Sequence, residues 1–397
     1  MTDFRLADEH RELRAMLRTL CREEFAPHAA AWDQEKIFPE GALAHLAELG
    51  FFGLLVPEEY GGVAYDPVAY AITLEELARV SAALSIILSV HNSVGCWPIA
   101  KYGNEEQKQR FLPMLAAGKL AAFSLSEPGA GSDAGALSCS ARKDGDHYVL
   151  NGTKNWVTNG AQAAAIVLFA RTDPDPAAGN RGISAFVVTP DLPGFSVGKH
   201  EDKMGLRASV TVELGLVDCR VPVANRLGEE GQGFRIAMST LDGGRIGVGA
   251  QSLGIAAAAF AEAVAYAKVR ETFGKKLYEH QPVAFMLAEM ERRVAGARAL
   301  VMRAAWKRMH GEPHRIDASM AKLYASEAAT FVAHRAIQVH GGYGYVKEYP
   351  VERYYRDARV TEIYEGASEI QRMVIARELV AEAQAADAAA TRTLTTP

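Results

Sequence analysis

The feature that most constrains this chain is the order of its textures: helical periodicity, then strand periodicity, then helical periodicity again, each sustained long enough for a domain. From Leu6 to about Leu115 apolar residues recur at three- and four-residue spacing, as in Val68–Arg79, punctuated by Pro27, Pro39, Pro57 and Gly61-Gly62. Near Leu120 glycines, β-branched residues and turn pairs take over. Asp144-Gly145, Asn151-Gly152 and Asn159-Gly160 predict tight turns between strands. Val210, Val212 and Leu214 alternate with Thr211 and Glu213, as in a strand with one wet face. After Gly233 the helical period returns. Val283, Met286, Leu287, Met290, Val294, Ala297 and Val301 fall on one stripe, with Glu289 and Arg293 four residues apart on another face. Blocks in this order are unlike the alternating strand and helix of a doubly wound nucleotide fold. They predict an α+β chain with a helical domain over 1–119, a β domain over 120–228, a helical bundle over 229–381 and a disordered Ala/Thr-rich tail over 382–397.

A chain of 397 residues that is 49% hydrophobic can bury a core for each of these domains. A net charge of -5 supplies no basic field for nucleic acid or an anionic membrane. Cys21, Cys96, Cys139 and Cys219 are far apart, which excludes the close pairs of zinc and redox motifs and predicts reduced, buried thiols in a cytoplasmic protein. Met1–Glu12 lacks the pattern of a secretory signal, and no run of about 18 apolar residues is evident, so no membrane insertion is expected.

Five segments combine residue types that carry chemistry. Ser124–Asp133 packs hydroxyls and glycines whose amides can hold phosphate or flavin oxygens. Asn155–Gly160 places an indole, Trp156, and a hydroxyl, Thr158, on one face of a strand. Gln338–Gly344 is a glycine-rich break after a long helix. In Tyr364–Glu369 a carboxylate, Glu365, sits among apolar neighbours, where burial raises a pKa toward the range a general base needs; Ser368 reads as the N-cap of a helix over Glu369–Leu379. Leu241–Ile246 and Arg270–Gly274 each put an arginine beside glycines. Taken singly, Ser124–Asp133 suits an ordinary loop equally well, and the other four suit ordinary core, helix cap or solvated surface better than a site.

Together, in this order and at these separations, they resemble the acyl-CoA dehydrogenase family from the N-terminus to about Leu379. The resemblance implies a helical N-terminal domain, a β-barrel-like middle domain and a C-terminal four-helix bundle, assembled as a homotetramer with non-covalent FAD and no metal. Matched by motif, Phe123, Leu125, Ser126, Gly131 and Ser132 form the flavin loop, and Trp156, Val157 and Thr158 flank the ring. Arg270, Thr272, Phe273, Gln281, Gln338, Val339, Gly341 and Gly342 reach the FAD of a neighbouring subunit, and Ala367, Ser368 and Glu369 complete the cofactor set. Ser132, Asp242, Arg245, Tyr364 and Gly366 would contact the acyl-CoA. Glu365 is the implied catalytic base; some relatives place the base at the position of Gly244, which here has no side chain. The implied reaction, of the fatty acid β-oxidation kind, converts a butyryl-like or short branched acyl-CoA to the trans-2-enoyl-CoA. It does so by α-proton abstraction and β-hydride transfer to flavin N5, with electron-transferring flavoprotein as the onward acceptor. Ser81–Val90 holds no basic residue, which argues against a dicarboxylate substrate. The competing readings are an acyl-CoA oxidase, against which the chain length is expected to count, and a non-catalytic acyl-CoA or flavin scaffold, which would not require Glu365.

Overall fold

The computed structural model describes the backbone of residues 6–394 and the side chains of residues 6–384. Among these, the chain opens with helices α1 (Asp8–Leu20), α2 (Ala29–Gln34), α3 (Glu40–Glu48), α4 (Pro67–Val80), α5 (Ala82–Ser89), α6 (Trp97–Tyr102) and α7 (Glu105–Ala116). Their ends follow local chemistry. The Asp66 carboxylate accepts from the amides of Val68 and Ala69 ahead of Pro67, and Asn104 with Gln107 forms a capping box on α7. Helix α4 is buried almost all round, Glu75 and Glu76 included. Those carboxylates are tolerated because Arg14 and Arg298 meet Glu75 at 3.0 and 2.7 Å, while Arg18 meets Glu76 at 3.1 Å.

Strands β1 (Leu120–Ser124), β2 (Ser140–Asp144), β3 (His147–Thr158), β4 (Ala163–Arg171), β5 (Ile183–Val188), β6 (Phe195–His200), β7 (Thr211–Pro222) and β8 (Arg226–Leu227) follow. They form one mixed sheet in the order β6-β7-β3-β2-β4-β5-β8, with β1 parallel to β4. Period-two alternation divides β4 between two cores. Ala165, Val167 and Phe169 face the N-terminal helices beside Ile99, Phe111 and Leu115, whereas Ile166, Leu168 and Ala170 face an inner cluster with Leu150, Val212 and Leu214. Both faces are buried, so β4 reads as an unbroken apolar run. Asn151-Gly152 does not turn the chain: it lies inside β3, where the register against β7 shifts and Gly152 has φ +148. The glycine there serves a bulge that bends a twelve-residue strand.

The second half is α8 (Gly233–Val269), a short hairpin of β9 (Glu271–Thr272) and β10 (Lys275–Lys276), α9 (Gln281–Met309), α10 (Arg315–His340), α11 (Val351–Val360) and α12 (Ser368–Leu394). The α9 stripe is buried from Met290 to Val301, and Ala318, Ala321, Ala325 and Ala329 let α10 pack closely on α8. Glu289 pairs with Arg292 at 2.7 Å, while Arg293 stacks over Phe331 at 3.9 Å, so the i,i+4 ion pair is replaced by an i,i+3 pair and a cation–π contact. The expected tail is corrected as well: α12 continues through the alanine run to Leu394, because alanine carries the highest helix propensity and needs no apolar stripe. Thr395–Pro397 lie outside the described residues. Ala82–Tyr102 and Gly233–Val269 do reach the length and mean hydropathy of a membrane span, contrary to the sequence reading, but 94% and 72% of their windows are buried inside the protein.

Candidate active site

The turn between α11 and α12 carries Glu365 at φ +50 and Gly366 at φ +92. A non-glycine residue in the left-handed region costs about 1–3 kcal/mol and persists only where its surroundings over-determine it. Here they do. Gln371 Nε2 donates to Gly366 O at 2.8 Å and to Glu365 O at 3.3 Å, Lys322 Nζ donates to Gly366 O at 2.8 Å, and the Tyr364 hydroxyl donates to Gln251 Oε1 on α8. The strained pair aims the Glu365 carboxylate at α8, where a Cβ at Gly244 would collide with Oε2. The absent side chain is thus what lets the two elements meet.

Both Glu365 carboxylate oxygens are buried and have no hydrogen-bond partner. Burial pushes the pKa up to about 7, opposed in part by the charges of Lys322 and Arg245. Arg245 is itself buried and committed to Asp242 at 2.6 Å, and Asp242 also takes Arg315 at 3.1 Å. The result is a carboxylate held half-ionised near neutral pH with no hydrogen-bond partner among the described residues.

A second group gathers where β1 leaves the sheet. Asn155 N donates to Ser126 O at 2.9 Å, Glu127 and Ala130 close the loop by mutual backbone bonds, and Lys154 reaches Leu125 O at 3.2 Å and Glu127 Oε1 at 2.7 Å. Glu127 also accepts from Ser138 N and Cys139 N at 2.6 and 3.0 Å. Burial pushes its pKa up, but the Lys154 charge and these amides outweigh that, and the carboxyl lies below its usual range. This lattice presents Phe123, Leu125, Ser126 and the open backbone at Gly131 and Ser132, where no neighbour would touch an added Cβ at Gly131. The two-residue alternation assumed for Trp156 and Thr158 is interrupted: β3 bulges between Lys154 and Val157, and Trp156 takes φ +56 with its indole 58% exposed beside a buried Val157. Ser124 Oγ and Asn155 Oδ1 are buried without partners at the same edge.

A third group is separate. Arg270, Thr272, Val339, Gly341 and Gly342 line one cavity of about 700 Å³ with Tyr266, and none of Phe123–Ser132 or Trp156–Thr158 lines it. Phe273, at φ +51, is 98% exposed next to Thr272 of that lining, Gln338 is exposed next to Val339, and Gln281 is exposed at the start of α9. At α12, Ser368 is the first helical residue rather than the N-cap, and its buried hydroxyl has no partner; the end falls one residue earlier than read because the Ala367 carbonyl already accepts the first helical bond, from Gln371 N at 3.0 Å. Ala367 is half-buried and Glu369 exposed on either side of it.

Residues 7–119, 122–219 and 231–380 match the N-terminal, middle and C-terminal domains of acyl-CoA dehydrogenase, in that order. The chain belongs to the acyl-CoA dehydrogenase family. It is 50% identical over 376 residues to the short-chain specific acyl-CoA dehydrogenase, mitochondrial, of Mus musculus, covering 94% of this chain and 91% of that one. Among solved structures it is similar to butyryl-CoA dehydrogenase from Megasphaera elsdenii, at TM-score 0.93 and 45% identity over 96% of this chain and 100% of that one. It is equally similar to a chain from a structure of the electron transferring flavoprotein of Acidaminococcus fermentans, at TM-score 0.93 and 44% identity over 95% and 99% of the two chains. As an acyl-CoA dehydrogenase it is an FAD-dependent oxidoreductase. The residues present fit that cofactor: an exposed indole, partnerless buried polar atoms and open loop glycines at one edge suit a flat polar ring, and the glycine-lined cavity with Arg270 suits a diphosphate.

Sequence reasoning missed Lys322, Gln371, Gln251, Lys154 and Glu127, all of which hold site residues in place. One signal was available. Lys322 interrupts the alanine and serine stripe of α10, and a lysine in a buried stripe needs a partner.

Proposed function

We propose that the enzyme oxidises a short-chain, butyryl-like or short branched acyl-CoA to the trans-2-enoyl-CoA, with Glu365 removing the proton from the carbon next to the thioester. The observation that carries this is the Glu365 carboxylate: buried, without a hydrogen-bond partner among the described residues, and pushed up to about 7 by that burial. A base of that proton affinity is ionised in a useful fraction at neutral pH and still basic enough to take a weakly acidic C–H proton. Bound FAD supplies the acceptor for the hydrogen and electron pair leaving the β carbon.

The remaining work falls to this chain's own residues. The left-handed turn at Glu365 and Gly366 fixes the carboxylate against the bare α8 backbone at Gly244, with Oε2 filling the space a Cβ would take. Developing negative charge on the thioester oxygen calls for donors, and the free amides of a strained turn are one source. Asp242 and Arg245 flank Gly244 on α8 and pair with each other at 2.6 Å, polar groups suited to a polar carrier chain. The short-chain preference is supported by the names of the similar proteins from Mus musculus and Megasphaera elsdenii, while the absence of a cation on α5 argues against a dicarboxylate chain.

The same reading includes a homotetramer, supported by Phe273, Tyr345 and Tyr343 standing 98%, 86% and 51% exposed around the Arg270 cavity. Electron-transferring flavoprotein as the onward acceptor is supported by the likeness to the chain from Acidaminococcus fermentans. Residence in a reducing compartment such as the cytoplasm is supported by four buried cysteines that form no disulfide. The test is direct: the purified holoenzyme is yellow and anaerobic butyryl-CoA bleaches it, with the fastest bleaching across an acyl-CoA panel at short chains. A colourless protein that still binds acyl-CoA would favour a scaffold, and rapid peroxide formation in air would favour an oxidase.

A further inference from the structure

Lys322 is a full positive charge in the middle of α10's buried stripe, flanked by Ala318, Ala321, Ala325 and Ala329. Packing does not require it there, since alanine would serve, and burying an ammonium has a free-energy cost. Its Nζ donates to a single backbone carbonyl, that of Gly366 at 2.8 Å, and no carboxylate among the described residues pairs with it within 4.0 Å. That carbonyl closes the left-handed turn, and Gln371 Nε2 holds it from the other side at 2.8 Å.

We propose that Lys322 is the positioning residue for Glu365: its ammonium clamps the Gly366 carbonyl, so fixing the turn that aims the carboxylate at Gly244, and its charge keeps that carboxylate ionised in a dry site. The inference rests on Glu365 being the base. The other groups facing Glu365 do not duplicate this role. Arg245 on α8 is bound to Asp242 at 2.6 Å, so much of its field is spent. Tyr70 on α4 bonds Ser89 at 3.1 Å, Tyr364 bonds Gln251, Glu362 bonds Thr330 on α10, and Glu369 is exposed. Arg308 on α9 faces Tyr70 and Asp242. Burial alone would carry the Glu365 carboxyl above about 7, and Lys322 is the largest opposing influence. Burial pulls the amine itself down to about 8, so it is charged through the acidic half of the range in which Glu365 titrates, where the acidic limb is read.

The experiment compares wild type, Lys322→Met, Lys322→Arg and Glu365→Gln as flavin-loaded holoenzymes, measuring kcat/KM for butyryl-CoA and bound FAD per chain from about pH 5.5 to about pH 9.5. In Lys322→Met the acidic limb is expected to move up by about one pH unit or more, giving roughly a tenfold deficit at about pH 6 that narrows at high pH. Lys322→Arg keeps the limb at or below its wild-type position with a lowered plateau. A purely structural role would lower the plateau or the flavin content without moving the limb, and an unmoved limb in flavin-loaded Lys322→Met overturns the proposal. Should Lys322→Met not accumulate as a flavoprotein, Lys322→Arg decides alone: an upward-shifted limb overturns the inference, and a limb at or below wild type supports it. Glu365→Gln separates the two readings. Residual full activity there refutes the base assignment itself, whereas an inactive Glu365→Gln with an unmoved Lys322→Met limb refutes only the role of Lys322.

Discussion

Two buried glutamate–lysine neighbourhoods in this enzyme use the same residue types to opposite ends. Around Glu127, Lys154 makes a direct 2.7 Å ion pair, and the Ser138 and Cys139 amides fill the remaining lone pairs. Around Glu365, the lysine is turned onto a backbone carbonyl and the carboxylate is left with none. One glutamate lies below its usual range and the other is pushed up to about 7. The difference teaches that burial alone does not make a base. What matters is whether the neighbouring donors are spent on the carboxylate or on the backbone that carries it.

The largest expected effect comes from erasing the unpaired member. Glu365→Gln should keep acyl-CoA binding and bound flavin while anaerobic bleaching by butyryl-CoA slows by about 10³- to 10⁴-fold, measured by stopped-flow absorbance. Breaking the paired member should instead cost stability: Lys154→Met strands the Glu127 charge in the core, and denaturant unfolding should report a loss of about 3–5 kcal/mol together with flavin release. If Lys154→Met unfolds like wild type, the pairing does not hold the loop.

The third test turns on sign. Glu365 has a folded-state pKa near 7 against an ordinary 4.5, so the folded protein holds the extra proton between those values. Stability therefore falls as pH rises from about 4.5 to about 7, and the ionised Glu365 costs the fold up to about 3 kcal/mol above that window. Glu365→Gln should thus raise the melting temperature at about pH 8 and change it little at about pH 5; an equal shift at both would mean the carboxylate is not desolvated. The smallest effect sharpens the geometry. Gly244→Ala brings a Cβ against Glu365 Oε2 and should slow bleaching about 10- to 100-fold with little change in melting temperature.

Much of the fold was legible because block order and periodicity are local. The α9 stripe and the change of texture at Leu120 follow from spacing alone. Asn151-Gly152 misled because the same dipeptide that turns a hairpin also serves a bulge, and only the β7 partner strand decides between them. At the site, Glu365 stood out only through the joint resemblance, because a glutamate among apolar neighbours is more often a solvated surface residue. Lys322 and Gln371 were harder, since a residue that grips a backbone carbonyl leaves no motif and acts across 44 positions of sequence in the case of Lys322. Trp156 was found by type, but its left-handed backbone depends on a register shift against β7 that no periodicity reveals.

The most direct test of the central assignment is exchange at the carbon Glu365 is held to face. Butyryl-CoA incubated with holoenzyme in D2O without an electron acceptor should gain deuterium at C2, at a rate that climbs with pH and levels off above about 7. Glu365→Gln should incorporate none under the same conditions, and incorporation at the wild-type rate in that variant would contradict the account.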